Sequence, residues 1–429
     1  MFSTVHLGTF DAERWWRPAD LAELPAVGMS DGRSVASMDE LLAAFCAPGD
    51  LLITRAPMAA GLTASLAAAG IDFTHHYLGP DVDAEGDTAE ALVRRDPALC
   101  SDLRSCRSLA PYAVLPDTSA LAGYVGHAQQ LPAAGTAAEV NSKVWSNAVA
   151  TDLGVAGTAT VVRSTSELIA EVSARDGAAV VKDPFGVSGK GMLEIDNARR
   201  LQRIGAALDR QCADGRRIEL LVQDRYECRT NFSTQLTVGS DGTVDVLGVQ
   251  VMRNVGFRYA GSAPASAGFV RELTKRGYFE TVAAVGERLV TAGYRGPVGI
   301  DSALLVDDTL IPVFEVNARR SMGLLCLTLD RRFGEFGLTC RLVDRTLRVA
   351  PGLGIDDVVD ALHRHGLEYD GGDTPGVLVL AGSTLSAPSG RVHMALLDRR
   401  DADPADLSVR VTAALATRGF TTPGVQRAV

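Results

Sequence analysis

The chain has 429 residues, of which 46% are hydrophobic and 22% charged, and its formal net charge is −10 at pH 7. The length allows about two to four globular domains with sizeable cores, and the composition is ordinary for such proteins. The acidic net charge argues against nucleic acid or an anionic membrane as the main partner.

The chain contains seven cysteines, an odd number, and no two of them form a C-x-x-C pair. This usage predicts a reducing compartment and unpaired thiols. The seven histidines include no set at zinc-binding spacing. The sequence opens with no signal-peptide pattern, and no apolar run approaches the roughly 18 residues of a membrane-spanning helix. We therefore predict a cytoplasmic protein.

Residues 1 to about 110 alternate strand-like and helix-like segments. Strands are predicted at 51–54 and 71–78, and helices at 38–45 and 57–69. This alternation is typical of a small α/β unit. A Pro-, Gly- and Ala-rich stretch at 111–135 then predicts a connecting segment with one short helix.

A different pattern begins near residue 140. Asn141, Ser142 and Lys143 open a helix that the pattern extends through Leu153. The segment 164–167 has the character of a capping box at the start of a second helix. The periodic segments that follow predict strands at 155–162, 177–182, 218–223, 231–238 and 244–251 and a helix at 197–211.

The stretch 180–192 reads VVKDPFGVSGKGM and predicts a strand that delivers Lys182 into a glycine-rich loop. Glycines let backbone N–H groups approach a phosphate closely, and lysines supply compact positive charge. The P-loop pattern is excluded because Pro184 stands where that pattern needs glycine. For an isolated loop, a glycine-rich β-hairpin would be the simpler interpretation. The loop residues of interest are Gly186, Ser188, Gly189, Lys190 and Gly191.

The segment around 296–317 predicts an antiparallel hairpin. Asp301 and Glu315 then face each other, and Asn317 lies two residues farther on the same face. Two carboxylates and an amide oxygen form a hard-oxygen site suited to Mg²⁺, the alternative being a solvated polar face. We expect the face to be buried, with a metal offsetting the cost of burying carboxylates. The apolar residues that share its parity are Ala303, Leu305, Ile311 and Val313.

The order of these parts resembles the ATP-grasp superfamily. A helix lysine, a strand with a glycine-rich loop, a hinge, a hairpin and the pattern G-[IV]-D … E-[VIM]-N-x-R follow one another over about residues 140–325. The pattern is represented by 299–301 and 315–319. The resemblance implies an α/β fold with the α+β lobes of ATP-grasp proteins, ATP as substrate, and two Mg²⁺ ions.

The resemblance also implies roles for residues on the ATP side. Lys143 and Lys182 would contact phosphate, and the loop from Gly186 to Gly191 would cover the β- and γ-phosphates. Adenine and ribose would lie against the hinge residues Gln223, Tyr226 and Glu227.

The metal and the chemistry are assigned, by the same resemblance, to the hairpin and the residues after it. Asp301, Glu315 and Asn317 would bind the two Mg²⁺ ions. Arg319 and Lys182 would be catalytic, neutralising the phosphoryl group as it moves from ATP to a substrate carboxylate. An amine would then attack the acylphosphate. Three arginines are candidates for binding a substrate carboxylate, with a surface role as the alternative for each: Arg253, Arg258 and Arg320.

Within the superfamily, the KDPFGVSGKG loop and the flanking units resemble the peptide ligases of pheganomycin type, which belong to natural-product biosynthesis. The C-terminal unit is predicted from strands at 376–381 and 392–397 and a helix at 404–417. We expect three domains: a pre-ATP-grasp α/β domain at 1–135, an ATP-grasp core at 136–370 with a flexible lobe at about 178–252, and a small α/β domain at 371–429.

The function implied is an ATP-dependent ligase that joins a carboxylate to an amine, with amino acids or peptides as substrates. Three alternatives remain open: a kinase or carboxylase on the same fold, a ligase that loads an amino acid onto a carrier-protein thiol, and an ATP-binding module without turnover. No nucleic-acid or membrane partner is expected, and a homodimer is left open.

Lysine is rare in this chain. Only Lys143, Lys182, Lys190 and Lys275 occur among the 42 basic residues, and the first three fall in the segments assigned to phosphate. An ammonium is a compact charge on a flexible stem, whereas a guanidinium is a wide planar fork. We therefore expect lysine where arginine would crowd a closely wrapped triphosphate.

Overall fold

The computed structural model describes residues 2–25, 35–79, 86–175, 179–186 and 191–422. These residues form an N-terminal sheet, a sheet in a small lobe (residues 160–224) and a large sheet of eight strands. No helix in the described ranges is both long and apolar enough to span a bilayer. The cytoplasmic location and the oligomeric state stay predictions.

The N-terminal sheet is parallel, with the strand order β3-β2-β1-β4. Its strands are β1 (Thr4–Leu7), β2 (Leu51–Thr54), β3 (Thr74–Tyr77) and β4 (Ser108–Pro111). Its helices are α1 (Ala12–Trp16), a 3₁₀-helix (Ser37–Phe45), α2 (Ala60–Ala68), α3 (Ala89–Arg94), α4 (Pro97–Arg104) and α5 (Pro116–Val125). Parallel strands need crossover connections, and these helices supply them. The predicted α/β unit is therefore confirmed.

The small lobe contains an antiparallel sheet with the order β5-β8-β6-β7. Its strands are β5 (Thr160–Val162), β6 (Ala179–Lys182), β7 (Met192–Ile195) and β8 (Leu220–Asp224). A short 3₁₀-helix (Ala128–Gln130), α6 (Ala134–Val140) and α7 (Lys143–Asp152) precede it, and α8 (Thr165–Ser173) and α9 (Ala198–Ala213) pack on it. Both helices begin where the sequence predicted, and the side chains of Ser142 and Ser164 cap them by accepting hydrogen bonds from backbone N–H groups in the first turns of α7 and α8.

The large sheet has the order β13-β12-β9-β10-β11-β14-β16-β15, and all its neighbours are antiparallel. Its strands are β9 (Cys228–Val238), β10 (Val244–Val255), β11 (Arg258–Pro264), β12 (Gly296–Leu305), β13 (Leu310–Asn317), β14 (Leu338–Arg348), β15 (Gly376–Ala381) and β16 (Ser389–Arg399). Its helices are α10 (Ala267–Lys275), α11 (Tyr278–Thr291), α12 (Met322–Gly334), α13 (Ile355–Arg364) and α14 (Pro404–Thr417).

The strand pairing differs from the expected lobe and domain arrangement. The predicted lobe at about 178–252 includes β9 and β10, yet these strands pair in the large sheet, so the small lobe ends at Asp224. The predicted C-terminal strands β15 and β16 extend the same sheet, because β16 pairs with β14 along its whole length and satisfies its backbone hydrogen bonds. The domain boundaries at residues 135 and 370 stay predictions.

Two apolar cores flank the large sheet. One packs α11 against β9, β12 and β13 and includes Phe232, Ile300 and Val316. The other joins the N-terminal unit to the far end of the sheet, with Leu42 and Leu396 among its members. The face of β12 and β13 opposite the first core carries Asp301 and Glu315 and faces the small lobe.

Candidate functional site

A cavity of about 400 Å³ lies between the small lobe and the large sheet. Its lining comes from the start of α7, from the strands β6 to β13 and their connections, and from the start of α12. Residues that are far apart in the sequence are therefore brought together at this one place.

The hairpin of β12 and β13 places the three predicted metal ligands on the cavity wall. Asp301 pairs with Glu315, as predicted, and Asn317 lies two residues beyond. Nδ2 of Asn317 donates a hydrogen bond to Oδ2 of Asp301 at 3.1 Å. The intervening Ile300 and Val316 pack in the core behind the sheet, as alternation along a strand requires.

A register shift between Asp301 and Ala303 interrupts this hairpin. Beyond it, Val313 packs behind the sheet with Ile300, whereas Phe314 lines the cavity. The predicted parity of Val313 is wrong, because three residues of β13 lie opposite the single Ser302 of β12, and this irregularity interrupts the alternation.

The Asp301 carboxyl is poorly hydrated. Loss of water by burial, reinforced by the neighbouring Glu315 carboxylate, raises the pKa of Asp301 to about 6. A cation would offset that cost. Nowhere in the described ranges do three or more His, Cys, Asp or Glu side chains group around a common point suited to a metal. The candidate site therefore consists of two carboxylates and the Asn317 amide oxygen, and these hard donors fit Mg²⁺.

Lys143, the first residue of α7, is buried and connects the hairpin to the glycine-rich loop. Its Nζ donates to Oε1 of Glu315 at 2.6 Å and to the backbone oxygen of Gly186. Its backbone N–H donates to the oxygen of Pro184 at 3.0 Å. Lys143 is thus within reach of both the candidate metal ligands and the loop.

Lys182 is the last residue of β6 and lines the same cavity. Burial lowers the pKa of its ammonium to about 8, even though the nearby Glu315 carboxylate opposes this shift. Its Nζ lies 5.1 Å from the centroid of the Phe314 ring. Two ammonium groups beside Glu315 make this end of the cavity suitable for phosphate oxygens.

The structure describes only the two ends of the glycine-rich loop. The N–H of Asp183 donates to the oxygen of Gly191 at 2.7 Å, so the ends lie side by side. Gly191 has φ +74°, and a Cβ there would lie 3.0 Å from Cα of Gly186, which explains glycine at this position. The predicted phosphate contacts of Ser188, Gly189 and Lys190 lie outside the described residues.

The hinge after β8 contributes two of its three predicted residues to the cavity. Gln223 lines it, and Nε2 of that side chain donates to the backbone oxygen of Gly157. Tyr226 lines it as well. Glu227 is exposed and is not among the lining residues, and its backbone oxygen accepts a hydrogen bond from Val306 at 3.0 Å. The prediction that Glu227 binds ribose is therefore not supported, because its side chain points to solvent.

Arg319 follows β13 and is buried at the inner end of the cavity. Its guanidinium donates to Oδ1 of Asn317 at 3.0 Å and forms an ion pair with Glu13, with Nη2 and Oε1 2.7 Å apart. Burial alone would lower the pKa of Arg319, but Glu13, together with Tyr112 and Glu315, raises it above its ordinary value. Arg319 is therefore a permanent cation.

The three predicted substrate arginines do not line the cavity. Arg253 donates to the backbone oxygen of Ala260, and Arg258 pairs with Asp344. These arginines alternate with cavity-lining residues on β10 and β11, so their side chains face the other way. Arg320 donates from Nη1 to Nδ1 of His6 at 3.0 Å. All three predictions are corrected, because the guanidinium groups serve the protein's own contacts.

Several lining residues were missed in the sequence. On β9 and β10 they alternate, as Asn231 with Ser233 and Met252 with Asn254. That period of two is a usable signal once the strands are known. No local pattern points to Glu13, which lies 306 residues before its partner Arg319.

No protein-family model matches the chain. A curated relative is the [butirosin acyl-carrier protein]–L-glutamate ligase of Niallia circulans, which is 32% identical over 150 residues. The match spans 34% of this chain and 34% of that relative, so about two thirds of each lies outside it.

Solved structures match the chain over nearly its whole length. N5-carboxyaminoimidazole synthetase from Staphylococcus aureus complexed with ADP has a TM-score of 0.53 at 11% identity, covering 95% of this chain and 97% of that one. The biotin carboxylase domain of 2-oxoglutarate carboxylase from Hydrogenobacter thermophilus, in complex with MgADP, has a TM-score of 0.54 at 13% identity, covering 99% and 91%. At these identities the likeness shows the fold, and the chain accordingly has the ATP-grasp fold.

Proposed function

We propose that the protein is an ATP-dependent ligase that joins a carboxylate to an amine, with amino acids or peptides as substrates. The observation that carries this proposal is the convergence of Lys143, Lys182 and Arg319 with Asp301 and Glu315 on one cavity. Phosphoryl transfer needs cationic groups for phosphate oxygens beside oxygen ligands for a metal. The fold shared with ADP-bound solved structures supports the same interpretation.

The first step transfers the γ-phosphoryl group of ATP to the acid substrate. A carboxylate oxygen attacks the γ-phosphorus, the bond to the β,γ-bridging oxygen breaks, and ADP leaves. Lys143, Lys182 and Arg319 bind the oxygens on which negative charge develops. Asp301, Glu315 and Asn317 would hold Mg²⁺, which would supply further charge neutralisation.

The second step forms the amide. The amine nitrogen attacks the acyl carbon, the C–N bond forms, the C–O bond to phosphate breaks, and the nitrogen loses a proton. No protein side chain forms a covalent bond in either step. The protein's tasks are positioning and the exclusion of water, which would otherwise hydrolyse the acylphosphate.

Among the described residues, the lining side chains from β9 to β11 and the start of α12 include an uncharged group. Its members are Asn231, Met252, Asn254, Tyr259 and Met322. A charged substrate side chain enclosed here without a partner would be costly. We therefore propose that the acid substrate carries an uncharged side chain, apolar or aromatic.

A second candidate reaction uses a carrier-protein thiol in place of the amine. The likeness to the butirosin relative over 150 residues favours it, because that protein is named as an acyl-carrier-protein ligase. The two reactions share the first step and differ in the group that attacks the acyl carbon.

Release of ADP and phosphate across a panel of neutral amino acids and dipeptides, singly and in pairs, tests the proposal. We expect release to require both an acid and an amine, and mass spectrometry to show the amide. Release without an amine would favour a kinase or carboxylase, and a mass shift on an added carrier protein would favour the second candidate.

A matched pair of variants tests the site itself. Glu315→Gln should leave the fold intact and abolish ADP release, because it removes one negative charge with little change in volume. Glu227→Gln makes the same change at an exposed residue outside the cavity and should keep wild-type turnover. Equal activity of the two variants would contradict the assignment of Glu315.

A further inference from the structure

Glu13, on helix α1 of the N-terminal unit, contacts the cavity-lining Arg319. Oε1 of Glu13 accepts a hydrogen bond from Nε of Arg319 at 2.9 Å and lies 2.7 Å from Nη2 in the same ion pair. The side chains are only 8% and 7% exposed. Oε2 of Glu13 has no hydrogen-bond partner within the described part of the chain. Arg319 is therefore the group that compensates the buried carboxylate, and the position of each depends on the other.

Arg17, directly after α1, contacts Asp183, the residue that follows the cavity-lining Lys182. Its Nη1 donates to Oδ1 of Asp183 at 2.5 Å, and the two side chains are 14% and 5% exposed. Asp183 begins the glycine-rich loop, and the same Oδ1 accepts a hydrogen bond from the N–H of Phe185 at 2.9 Å. This ion pair therefore holds the turn through which the chain enters the loop.

The surroundings of α1 fix it in place. Nε1 of Trp16 donates to the backbone oxygen of Val114 at 3.0 Å, which ties the helix to the N-terminal unit. Farther on, the N–H of Ala22 donates to the oxygen of Arg217 at 2.8 Å, and Ala22 and Leu24 pack in the core of the small lobe. The segment from Trp16 to Leu24 thus contacts both the N-terminal unit and the small lobe.

Glu13 and Arg17 are four residues apart, the spacing that places side chains on one side of a helical turn. We propose that they are positioning residues that brace the two sides of the phosphate site: Glu13 orients Arg319, and Arg17 holds the turn at Asp183. This rests on the proposed function, which assigns Arg319 and the loop to phosphate. The N-terminal unit then takes part in phosphoryl transfer although neither residue lines the cavity.

The two braces should have separable kinetic effects. Arg319 acts where charge develops during transfer, so a misoriented Arg319 should lower kcat and leave KM for ATP nearly unchanged. The turn at Asp183 leads into the glycine-rich loop, which the proposed function assigns to the phosphates, so release of this turn should raise KM for ATP. A merely structural role in folding would produce neither pattern.

The test compares Glu13→Gln and Arg17→Gln with Asp39→Asn. Asp39 forms an ion pair with Arg55 in the same N-terminal unit, is more deeply buried than Glu13, and is not part of the cavity. We expect Glu13→Gln to lower kcat at least tenfold and Arg17→Gln to raise KM for ATP at least threefold. Asp39→Asn should lower the melting temperature without either change. Kinetics of Glu13→Gln that match those of Asp39→Asn would overturn the role of Glu13.

Readouts other than turnover separate this inference from the proposed function. Hydrogen exchange at 317–323 should increase in Glu13→Gln, and exchange at 183–186 and 191–192 should increase in Arg17→Gln, with no such change in Asp39→Asn. Calorimetry should show at least threefold weaker binding of a non-hydrolysable ATP analogue to Arg17→Gln. If the wild type released no ADP with any substrate, the proposed function would fail, and these readouts would still decide the bracing. Unchanged exchange and affinity would overturn it.

Discussion

Lys143 and Lys182 both lie at the cavity, although only four of the 42 basic residues are lysine. Lys143 is enclosed between Glu315 and the backbone of Gly186, where a planar guanidinium would need more space. The observed geometry thus gives a steric reason for the choice of lysine that the sequence only suggested.

Arginine at either position should therefore preserve the positive charge but fit the available space less well than lysine. Lys143→Arg and Lys182→Arg should each lower kcat/KM for ATP at least tenfold, about 1.4 kcal/mol of transition-state stabilisation. Steady-state kinetics measure this. Lys275→Arg is the matched control, because Lys275 is exposed near the end of α10, and it should be near neutral. Wild-type kinetics in Lys182→Arg would contradict the phosphate role.

Lys182 should also make nucleotide binding depend on pH. Its pKa is lowered to about 8 by burial, so the free protein loses this charge as the pH rises through that value. Phosphate favours the ammonium, and binding above pH 8 must take up a proton. The affinity for an ATP analogue should be level near pH 7 and fall by up to about tenfold per pH unit above pH 8.

Calorimetry at constant Mg²⁺ measures that profile. Lys182→Arg should bind the analogue more weakly at every pH. Its affinity should show no additional fall above pH 8, because guanidinium stays charged. A flat wild-type profile between about pH 7 and pH 9.5 would show that the Lys182 ammonium does not contact the nucleotide.

At the scale of elements, the small lobe meets the large sheet at a close approach near β5. Gly157 has φ +93°, and a Cβ added there would lie 2.3 Å from Cγ2 of Ile311 on β13. The backbone oxygen of Gly157 also accepts a hydrogen bond from Gln223. This glycine therefore joins the hinge, the small lobe and the hairpin that carries the candidate metal ligands.

Gly157→Ala should destabilise the protein by more than backbone strain alone. Gly154→Ala is the control, because Gly154 has φ +64° but open space around its Cα. The control should cost about 1 kcal/mol, and Gly157→Ala about 1–3 kcal/mol more, because of the steric overlap with Ile311. Denaturant unfolding measures both. Equal losses of unfolding free energy in the two variants would mean that the small lobe and the large sheet separate easily at this contact.

At the scale of the whole molecule, the N-terminal unit and the last strands share one core. The 3₁₀-helix at Ser37–Phe45 packs against β15, and the buried Glu40 accepts hydrogen bonds from the N–H of Gly382 at 2.9 Å and from Ser383. Burial raises the pKa of Glu40 to about 7. The stability of the folded protein therefore depends on the protonation of Glu40, which joins two segments that are 342 residues apart in the sequence.

Since the pKa of Glu40 is raised in the folded state, its contribution to stability is complete below the ordinary value of 4.5 and is lost as the pH rises through about 7. Between about pH 5 and pH 8, the free energy of unfolding of the wild type should fall by about 1–3 kcal/mol relative to Glu40→Gln, whose amide does not titrate.

Urea unfolding of both proteins across this pH range measures the difference. Glu335→Gln, at an exposed position, serves as the control and should follow the wild type. Parallel curves for the wild type and Glu40→Gln would mean that Glu40 stays ionised in the folded protein.

The sequence by itself determined the features that depend on local spacing. Three such features are observed: the helix starts near Ser142 and Ser164, the strand that ends in Lys182, and the pairing of Asp301 with Glu315. Each follows from steric and hydrogen-bond rules that act within one helical turn or one hairpin. The order of these parts along the chain also carried the resemblance to the ATP-grasp superfamily, which implied the fold.

Only the tertiary structure decided which side chains share the cavity. In the structure, Arg253 and Arg258 contact other parts of the protein, and Glu227 is exposed outside the cavity. Glu13 forms an ion pair with Arg319. Alternation says that neighbouring side chains on a strand point to opposite faces, but not which face meets the small lobe. That choice depends on how sheets and helices pack across hundreds of residues, and such packing leaves no period in the sequence.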